Sequence, residues 1–380
     1  MTKLRVGVVF GGRSAEHEVS LVSAASVINA LDKNKYEVVP IGITHEGRWL
    51  SSTNAVQLLK EHRSIEQLPE HLLVPDPRKQ ALVELGSTAR NSSTPEGTSQ
   101  PLDAIFPLIH GTYGEDGTIQ GLFELADIPY VGAGVLGSAV GMDKVIQKEL
   151  LRQAKIPTAP SVWFLFSDFA RESKKFVLQC ESKLRYPMFV KPSNSGSSIG
   201  ISKAHNRKEL VASITLAGQY DRKVLVEQGV KNAREIEVSV LGNDTAEASV
   251  PGEIIPSNEF YDYDAKYVDG KSASVIPAKL PKPVVKKLQA MAVDAFRALD
   301  CFGMARVDFL VEKKTNRMFL NEINTVPGFT SISMYPKLWE ASGLSYPQLL
   351  DKLIELALKR HAEKKTLKTT YQPKEDWYKQ

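Results

Sequence analysis

Arg306–Phe329, RVDFLVEKKTNRMFLNEINTVPGF, reads as a β-hairpin, with two apolar-rich runs, Met304–Val311 and Met318–Ile323, flanking the polar turn Glu312–Arg317. Side chains alternate along a strand, so Val307, Phe309, Phe319 and Ile323 point into a core. Arg306, Asp308, Glu322 and Asn324 fall on the opposite parity. If the turn brings Asp308 beside Glu322, the four polar groups share one face as cross-strand neighbours. Asp, Glu and Asn offer only oxygen ligands, which suit a hard cation such as Mg²⁺. Three such ligands beside an arginine make a floor for nucleotide phosphates and the charge that develops on them. The same spacing also suits a solvated hairpin face with a surface ion pair.

At 380 residues the chain is long enough for two or three domains sharing cores. Hydrophobic content of 42% and charged content of 24% fit a soluble globular protein. A formal net charge of +4 spread along the chain argues for neither nucleic acid nor a membrane surface. The two cysteines, Cys180 and Cys301, cannot form a disulfide framework and suit a reducing compartment. No apolar run approaches a membrane span, and MTKLRVGVVF lacks a cleavage pattern. These readings predict a cytoplasmic α/β protein.

From the hairpin outward, LRVGVVFGG is a buried strand entering a glycine turn, then a helix over about Ala15–Leu31 and a second strand, YEVVPIGIT. GGRSAE is not the G-x-G-x-x-G of a dinucleotide site, and HEVSL is not a zinc H-E-x-x-H. The pattern weakens over Ser51–Leu102, where Ser87–Pro101 reads as an exposed loop. LDAIFPLIH is another buried strand feeding a glycine-rich loop, the place where open α/β sheets hold ligands. The first domain closes near Tyr130, and Ser138–Lys155 reads as one helix. SVWFLF, a helix over Ser167–Glu181 and YPMFVKP make a smaller α+β unit. Strand MFVK, the loop PSNSGSSIG and strand ISKA then form a donor-rich lid with Lys191 at its base. Gly270–Ser272 is not a Walker A loop, because Ala265 stands where the upstream glycine belongs.

VLVEQGV and REIEVSVLG read as strands of one second sheet, followed by a long polar and aromatic loop. Pro283–Asp300 is an amphipathic helix, and Pro347–Arg360 a closing helix that Ser345 caps. The tail from Lys364 shows no packing pattern. The expected units are 1–130, 131–225 and 226–363, with a tail over 364–380. A hairpin of oxygen ligands, a Ser/Gly lid and several lysines, without a Ser-His-Asp or Cys-His arrangement, suit phosphoryl transfer better than hydrolysis or hydride transfer.

VDF…NEINTVPGFT resembles the carboxy-terminal signature of the D-alanine–D-alanine ligases, members of the ATP-grasp superfamily, and further matching blocks run from Gly11 to about Met334. The resemblance implies an open parallel α/β domain followed by two α+β subdomains that sandwich ATP. It implies that ATP phosphorylates the carboxylate of one D-alanine and that the amine of a second attacks the acyl phosphate. By motif, Asp308, Glu322 and Asn324 look like ligands of two Mg²⁺ ions, or Mn²⁺, with Glu322 bridging. Arg306 would steady the acyl phosphate, and the backbone N–H of Gly328 would complete an oxyanion hole. Lys144 and Lys191 resemble the lysines on the ATP phosphates, Lys266 one on the γ-phosphate, Glu227 a neighbour of adenine and Glu235 an acceptor from ribose. Glu16, Ser197 and Tyr267 resemble a hydrogen-bonded trio joining the first substrate to the lid. His110 falls near the substrate, and Ser333 and Met334 would contact the second D-alanine.

Gln228 stands where some relatives carry Lys, so it receives no role with ATP, and Ser51–Leu102 matches no family motif. Relatives make D-alanyl-D-lactate or D-alanyl-D-serine; the lactate-making ones lack the loop tyrosine, so Tyr267 points to the dipeptide. A different ATP-grasp carboxylate ligase would lack Glu16 together with Tyr267, and a non-catalytic nucleotide-binding protein would lose Arg306 or a metal ligand. Homodimerisation through the first domain is common in the family.

Overall fold

The computed structural model describes residues 2–61, 69–85, 101–255 and 273–371. Its first sheet is built on β1 (Leu4–Gly11), which pairs in parallel with β2 (Tyr36–Ile43) on one side and β6 (Ala104–Pro107) on the other. The helix α1 (His17–Ala30) crosses between β1 and β2. The segment Ser51–Leu102, weak in pattern, adds an antiparallel wing: β3 (Trp49–Ser51), α2 (Ala55–Lys60), β4 (Glu70–Leu73) and β5 (Leu82–Leu85) extend the order to β5-β4-β3-β2-β1-β6. These strands are three or four residues long, too short for a clear period-2 pattern. Of the loop expected over Ser87–Pro101, residues 87–100 lie outside the described residues.

After β6, α3 (Thr118–Leu125) leads into α4 (Val135–Met142) and α5 (Lys144–Gln153). The single helix expected over Ser138–Lys155 is therefore two. Asp143 breaks it by adopting an extended backbone and capping α5, its carboxylate accepting from the N–H groups of Val145 and Ile146. Lys144 thereby becomes the first residue of a new helix.

The second sheet has the order β7-β10-β8-β9, from β7 (Ser161–Leu165), β8 (Met188–Pro192), β9 (Ser202–Ala204) and β10 (Lys223–Gln228), under α6 (Phe166–Lys183) and α7 (Arg207–Ala217). The third runs β14-β13-β11-β15-β16, with β11 (Ala233–Gly242), β13 (Gly252–Ile255), β14 (Ala273–Val275), β15 (Gly303–Glu312) and β16 (Met318–Asn324), and β12 (Ala246–Ala248) paired to β11. Thus VLVEQGV and REIEVSVLG, expected in one sheet, are divided between two. Both are apolar strands, and sequence adjacency does not say which partner each takes.

The hairpin β15–β16 forms as read, with Asp308 opposite Glu322 and Arg306 opposite Asn324. Between these pairs and the next, Phe309 opposite Leu320, Asn321 is the extra residue of a β-bulge. The bulge inverts the parity of the outer half of β16. Leu320 is fully buried beside Phe309 and Val307, whereas Phe319, expected in that core, is only half-buried, with Arg317 over its ring.

The helix α8 (Lys282–Ala298) covers the third sheet through Leu288, Ala292 and Phe296. Past α9 (Met334–Ala341), α10 (Tyr346–Lys365) starts with a capping box between Ser345 and Gln348. It packs Leu349, Leu350, Leu353 and Ile354 into one core with Val6, Val8 and Phe10 of the first sheet and Met304 of the third. Arg360 reinforces that union by donating to the carbonyls of Tyr130 and Gly132 from above the Tyr130 ring. Lys364 and Lys365, expected to open the tail, remain helical and pair with Glu124 and Asp127. The second sheet keeps a core of its own. No described helix is long and apolar enough to cross a membrane.

Candidate active site

Two cavities, of about 340 and 230 Å³, lie back to back across the hairpin. The larger opens between the second and third sheets and is lined by Lys191, Glu227, Glu235, Asp308 and Asn321. The smaller faces the first sheet and is lined by Glu16, His110, Lys144, Asn324, Gly328 and Ser333. Glu237, Arg306, Glu322, Ser198 and Ile201 line both, so the two spaces meet at the polar face of β15–β16.

At that junction the Arg306 guanidinium donates from Nε and Nη2 to the two oxygens of Asp308, at 2.8 and 2.7 Å. It also lies 3.1 Å from Glu237 Oε2. Burial works against the charge, but Asp308 and Glu237 outweigh it and hold the arginine well above its ordinary range. Lys144 Nζ is 3.9 Å from Glu322. Asp308 lies opposite Glu322, and Asn324 two residues further along β16; Asp308 lines the larger cavity, Asn324 the smaller and Glu322 both, with both Asp308 oxygens engaged by Arg306. Oxygen donors of these types suit a hard divalent cation, although among the described residues no group of three or more His, Cys, Asp or Glu side chains is gathered as a metal site.

The second sheet supplies the opposite wall. Lys191 Nζ is 2.6 Å from Glu227 Oε2 and donates to Asn321 Oδ1 at 3.1 Å. The other oxygen of Glu227 pairs with Lys148, one turn beyond Lys144 on α5. All three charged groups are buried. Burial pushes the Glu227 carboxyl up, but Lys148 and Lys191 outweigh it and bring it down to about 2. Lys191 is raised in turn: burial lowers it, and Glu227 and Glu322 more than compensate. Glu227, expected beside adenine, is therefore engaged through both oxygens by lysines, while Glu235 is half-buried on the cavity wall.

The lid Ser195–Gly200 closes from above. Its base is fixed to the start of α5: Lys144 N–H donates to Ser193 O at 3.0 Å, Ser193 Oγ to Asp143 at 2.6 Å, and Lys144 Nζ to Ser195 O at 2.6 Å. Its tip is strained, with Ser197 at φ +44 and Ser198 at φ +61. Ser197 Oγ donates to Glu16 Oε1. A side chain at Gly196 would bring its Cβ within 2.3 Å of Glu16 Oε2, so only glycine allows this approach.

Glu16 is buried and makes no helix-capping bond, and Ser20 donates to Leu108 O at 2.6 Å, so neither side chain serves the first turn of α1. His110 lies at the back of the smaller cavity, buried, with Nδ1 3.0 Å from Val326 O and Nε2 3.2 Å from Ser23 Oγ. Burial lowers its pKa, but Glu115, 3.6 Å away, and Glu16 raise it overall. Ser333 Oγ accepts from Thr330 N–H at 3.1 Å and sits against Gly328, where a Cβ would come within 2.6 Å of it. Met334 is buried at the start of α9 beneath the same cavity, and Lys337 lines it one turn on. Lys266 and Tyr267 lie outside the described residues.

Three lining groups, Glu237, Asn321 and Lys337, and the buried Lys148 beside Glu227 were not singled out from sequence. Glu237 had the signal of its i+2 alternation with Glu235 and Lys148 that of its i+4 spacing from Lys144, whereas Asn321 and Lys337 had none.

A two-sheet clamp with a Ser/Gly lid, buried lysines on one wall and an oxygen-ligand hairpin on the other defines an ATP-grasp enzyme. The family models "D-ala D-ala ligase N-terminus" and "D-ala D-ala ligase C-terminus" match residues 5–133 and 150–355. The chain belongs to the D-alanine–D-alanine ligase family. It is 50% identical over 368 residues to the D-alanine–D-alanine ligase of Caldicellulosiruptor bescii, covering 97% of this chain and 99% of that one. With the ligase of Natranaerobius thermophilus it shares 50% identity over 364 residues, 96% and 97% of the two chains. Among solved structures, the D-alanine–D-alanine ligase of Coxiella burnetii superposes with a TM-score of 0.82 at 38% identity over 96% and 97% of the chains. VanG D-Ala:D-Ser ligase of Enterococcus faecalis gives 0.81 at 36% identity over 94% and 100%.

Proposed function

We propose that the chain joins two D-alanines with ATP, giving D-alanyl-D-alanine, ADP and phosphate for peptidoglycan precursors. The observation that carries the chemistry is the meeting of two cavities at Arg306 and Glu322. A nucleotide in the larger cavity directs its γ-phosphate at the hairpin, where a carboxylate held in the smaller one reaches it. The carboxylate oxygen attacks phosphorus, ADP leaves, and an acyl phosphate forms. The amine of the second D-alanine then attacks the acyl carbon, loses a proton, and the tetrahedral intermediate collapses with expulsion of phosphate.

In this reading Lys144 and Lys191 hold the phosphates, Lys266 takes the γ-phosphate, Glu235 accepts from the ribose, and Glu227 acts by anchoring Lys191. Asp308, Glu322 and Asn324 would hold Mg²⁺, which when bound neutralises charge on the phosphate oxygens. Arg306 faces the acyl phosphate and the oxyanion, with the Gly328 N–H as second donor. Glu16 binds the first ammonium and, with Ser197 and Tyr267, ties the substrate to the lid. His110 orders the back of the cavity, and Ser333 and Met334 meet the second D-alanine. The functional units are the 1–130, 131–225 and 226–363 segments, with the first also joining a homodimer, which sedimentation would test.

The experiment is ADP release by the purified protein with ATP and Mg²⁺, comparing D-alanine, L-alanine, D-serine and D-alanine with D-lactate. D-alanine-dependent release, with the dipeptide identified by mass, is the expected result. Release only with another carboxylate overturns the substrate but keeps the reaction class. No release with any of them overturns both.

A further inference from the structure

Glu227 lies on β10, flanked by β7 and β8, and its carboxylate is shared between two lysines from different elements. Lys191 comes from β8, opposite Leu225, and is therefore a diagonal neighbour of Glu227 on the same sheet face. Lys148 comes from α5, at i+4 from Lys144, so one helix face directs Lys144 to the smaller cavity and Lys148 to the Glu227 carboxylate on the wall of the larger. Lys148 is 2% exposed and Glu227 4% exposed, so the pair is almost withdrawn from water. Lys148, Lys191 and Glu227 together carry two positive charges and one negative; Glu322 and Glu235, which also act on Lys191, stand on the opposite wall of the cavity.

That imbalance bears on nucleotide binding. A buried Lys191–Glu227 pair alone would be neutral and self-satisfied, and drawing the lysine toward a phosphate would strand a buried carboxylate. With Lys148 on its other oxygen, Glu227 keeps a counterion when Lys191 turns to the cavity. The second partner of Lys191, Asn321 Oδ1, is neutral and consumes none of its charge.

We propose that Lys148 is a positioning residue for the nucleotide: by neutralising Glu227 it leaves the Lys191 ammonium as the net charge offered to the ATP phosphates. The inference rests on the reading that the larger cavity takes ATP.

Lys148→Met removes the charge and keeps the volume. It is expected to raise both the KM for ATP and the Kd of a non-hydrolysable ATP analogue by about tenfold or more, the scale of one lost charge-assisted contact. The KM for D-alanine stays within about twofold. Lys148→Arg restores most of the ATP affinity. The double variant Lys148→Met/Glu227→Gln, which strands no carboxylate, binds the analogue more tightly than Lys148→Met alone. An unchanged ATP KM in Lys148→Met overturns the proposal. So does a uniform fall in all parameters with no gain in the double variant, because that pattern marks a purely structural lysine. If Lys148→Met does not fold, Lys148→Arg and the double variant carry the same comparison. Failure of the wild-type protein to bind the analogue would refute the ATP reading itself, a result distinguishable from either.

Discussion

The β15–β16 hairpin and the Ser195–Gly200 lid face the same two cavities, but the first is braced along its length and the second is held at few points. The hairpin pairs with β11 over ten consecutive residues, and its inward side chains are fully or nearly fully buried under α8. Its one irregularity, the bulge at Asn321, aims a side chain at Lys191. The lid instead has two serines in the left-handed region and touches the first domain through Ser197 and Glu16. On the proposed function, charge that must be fixed before the reaction sits on the braced element, and contacts that must form and break around substrate sit on the loose one.

This contrast can be broken most directly at Arg306. Arg306→Met should lower kcat by roughly 10²–10³, the scale of losing one oxyanion donor. It should also lower stability by about 1–3 kcal/mol, because Asp308 and Glu237 lose the charge-assisted contacts that Arg306 gives them. Steady-state kinetics and urea unfolding of the same preparation check both. A kinetic loss without a stability loss would mean that the floor is less tightly braced than its ion pairs imply.

On the lid the two effects should separate. Ser197→Ala removes a hydrogen bond to a charged carboxylate and should lower kcat/KM for D-alanine by about tenfold, with nucleotide affinity unchanged. Its melting temperature should match the wild type, since the residue belongs to no core cluster. A shift in melting comparable to that of Arg306→Met would erase the distinction between the regions.

The smallest effect extends the comparison to the buried lysine wall. Glu227 titrates near 2 when folded against about 4.3 in an unfolded chain. The unfolded state therefore binds more protons, and the contribution is present above about pH 4.3 and disappears as pH falls toward 2. Urea stability from pH 7 to 3 should fall more gently in Glu227→Gln than in wild type. Parallel slopes would show that other carboxylates carry the acid response.

Much of this was legible in the chain. The hairpin's strands, the pairing of its polar face, the lid and its lysine, and α1, α8 and α10 follow from apolar period, glycine and caps, which are local signals. The site residues on motifs were legible because each motif is a short run. Asn321 was not, since a bulge is a register choice made against a partner strand. Lys148 was not, since its importance depends on a carboxylate almost eighty residues away in sequence. The Asp143 break hid because its immediate neighbours, Met142 and Lys144, are good helix formers, and the break follows from a cap.

The sequence by itself determined the α/β class, the hairpin with its polar face, and the family, because local periodicity and ordered motifs need no knowledge of what packs against them. Tertiary structure alone decided that Lys223–Gln228 joins the second sheet and Ala233–Gly242 the third. It decided also that Leu320 displaces Phe319 from the core and that Glu227 stands between two lysines. Each of these is a choice among partners of equal local propensity, made by burial and charge pairing across distant segments.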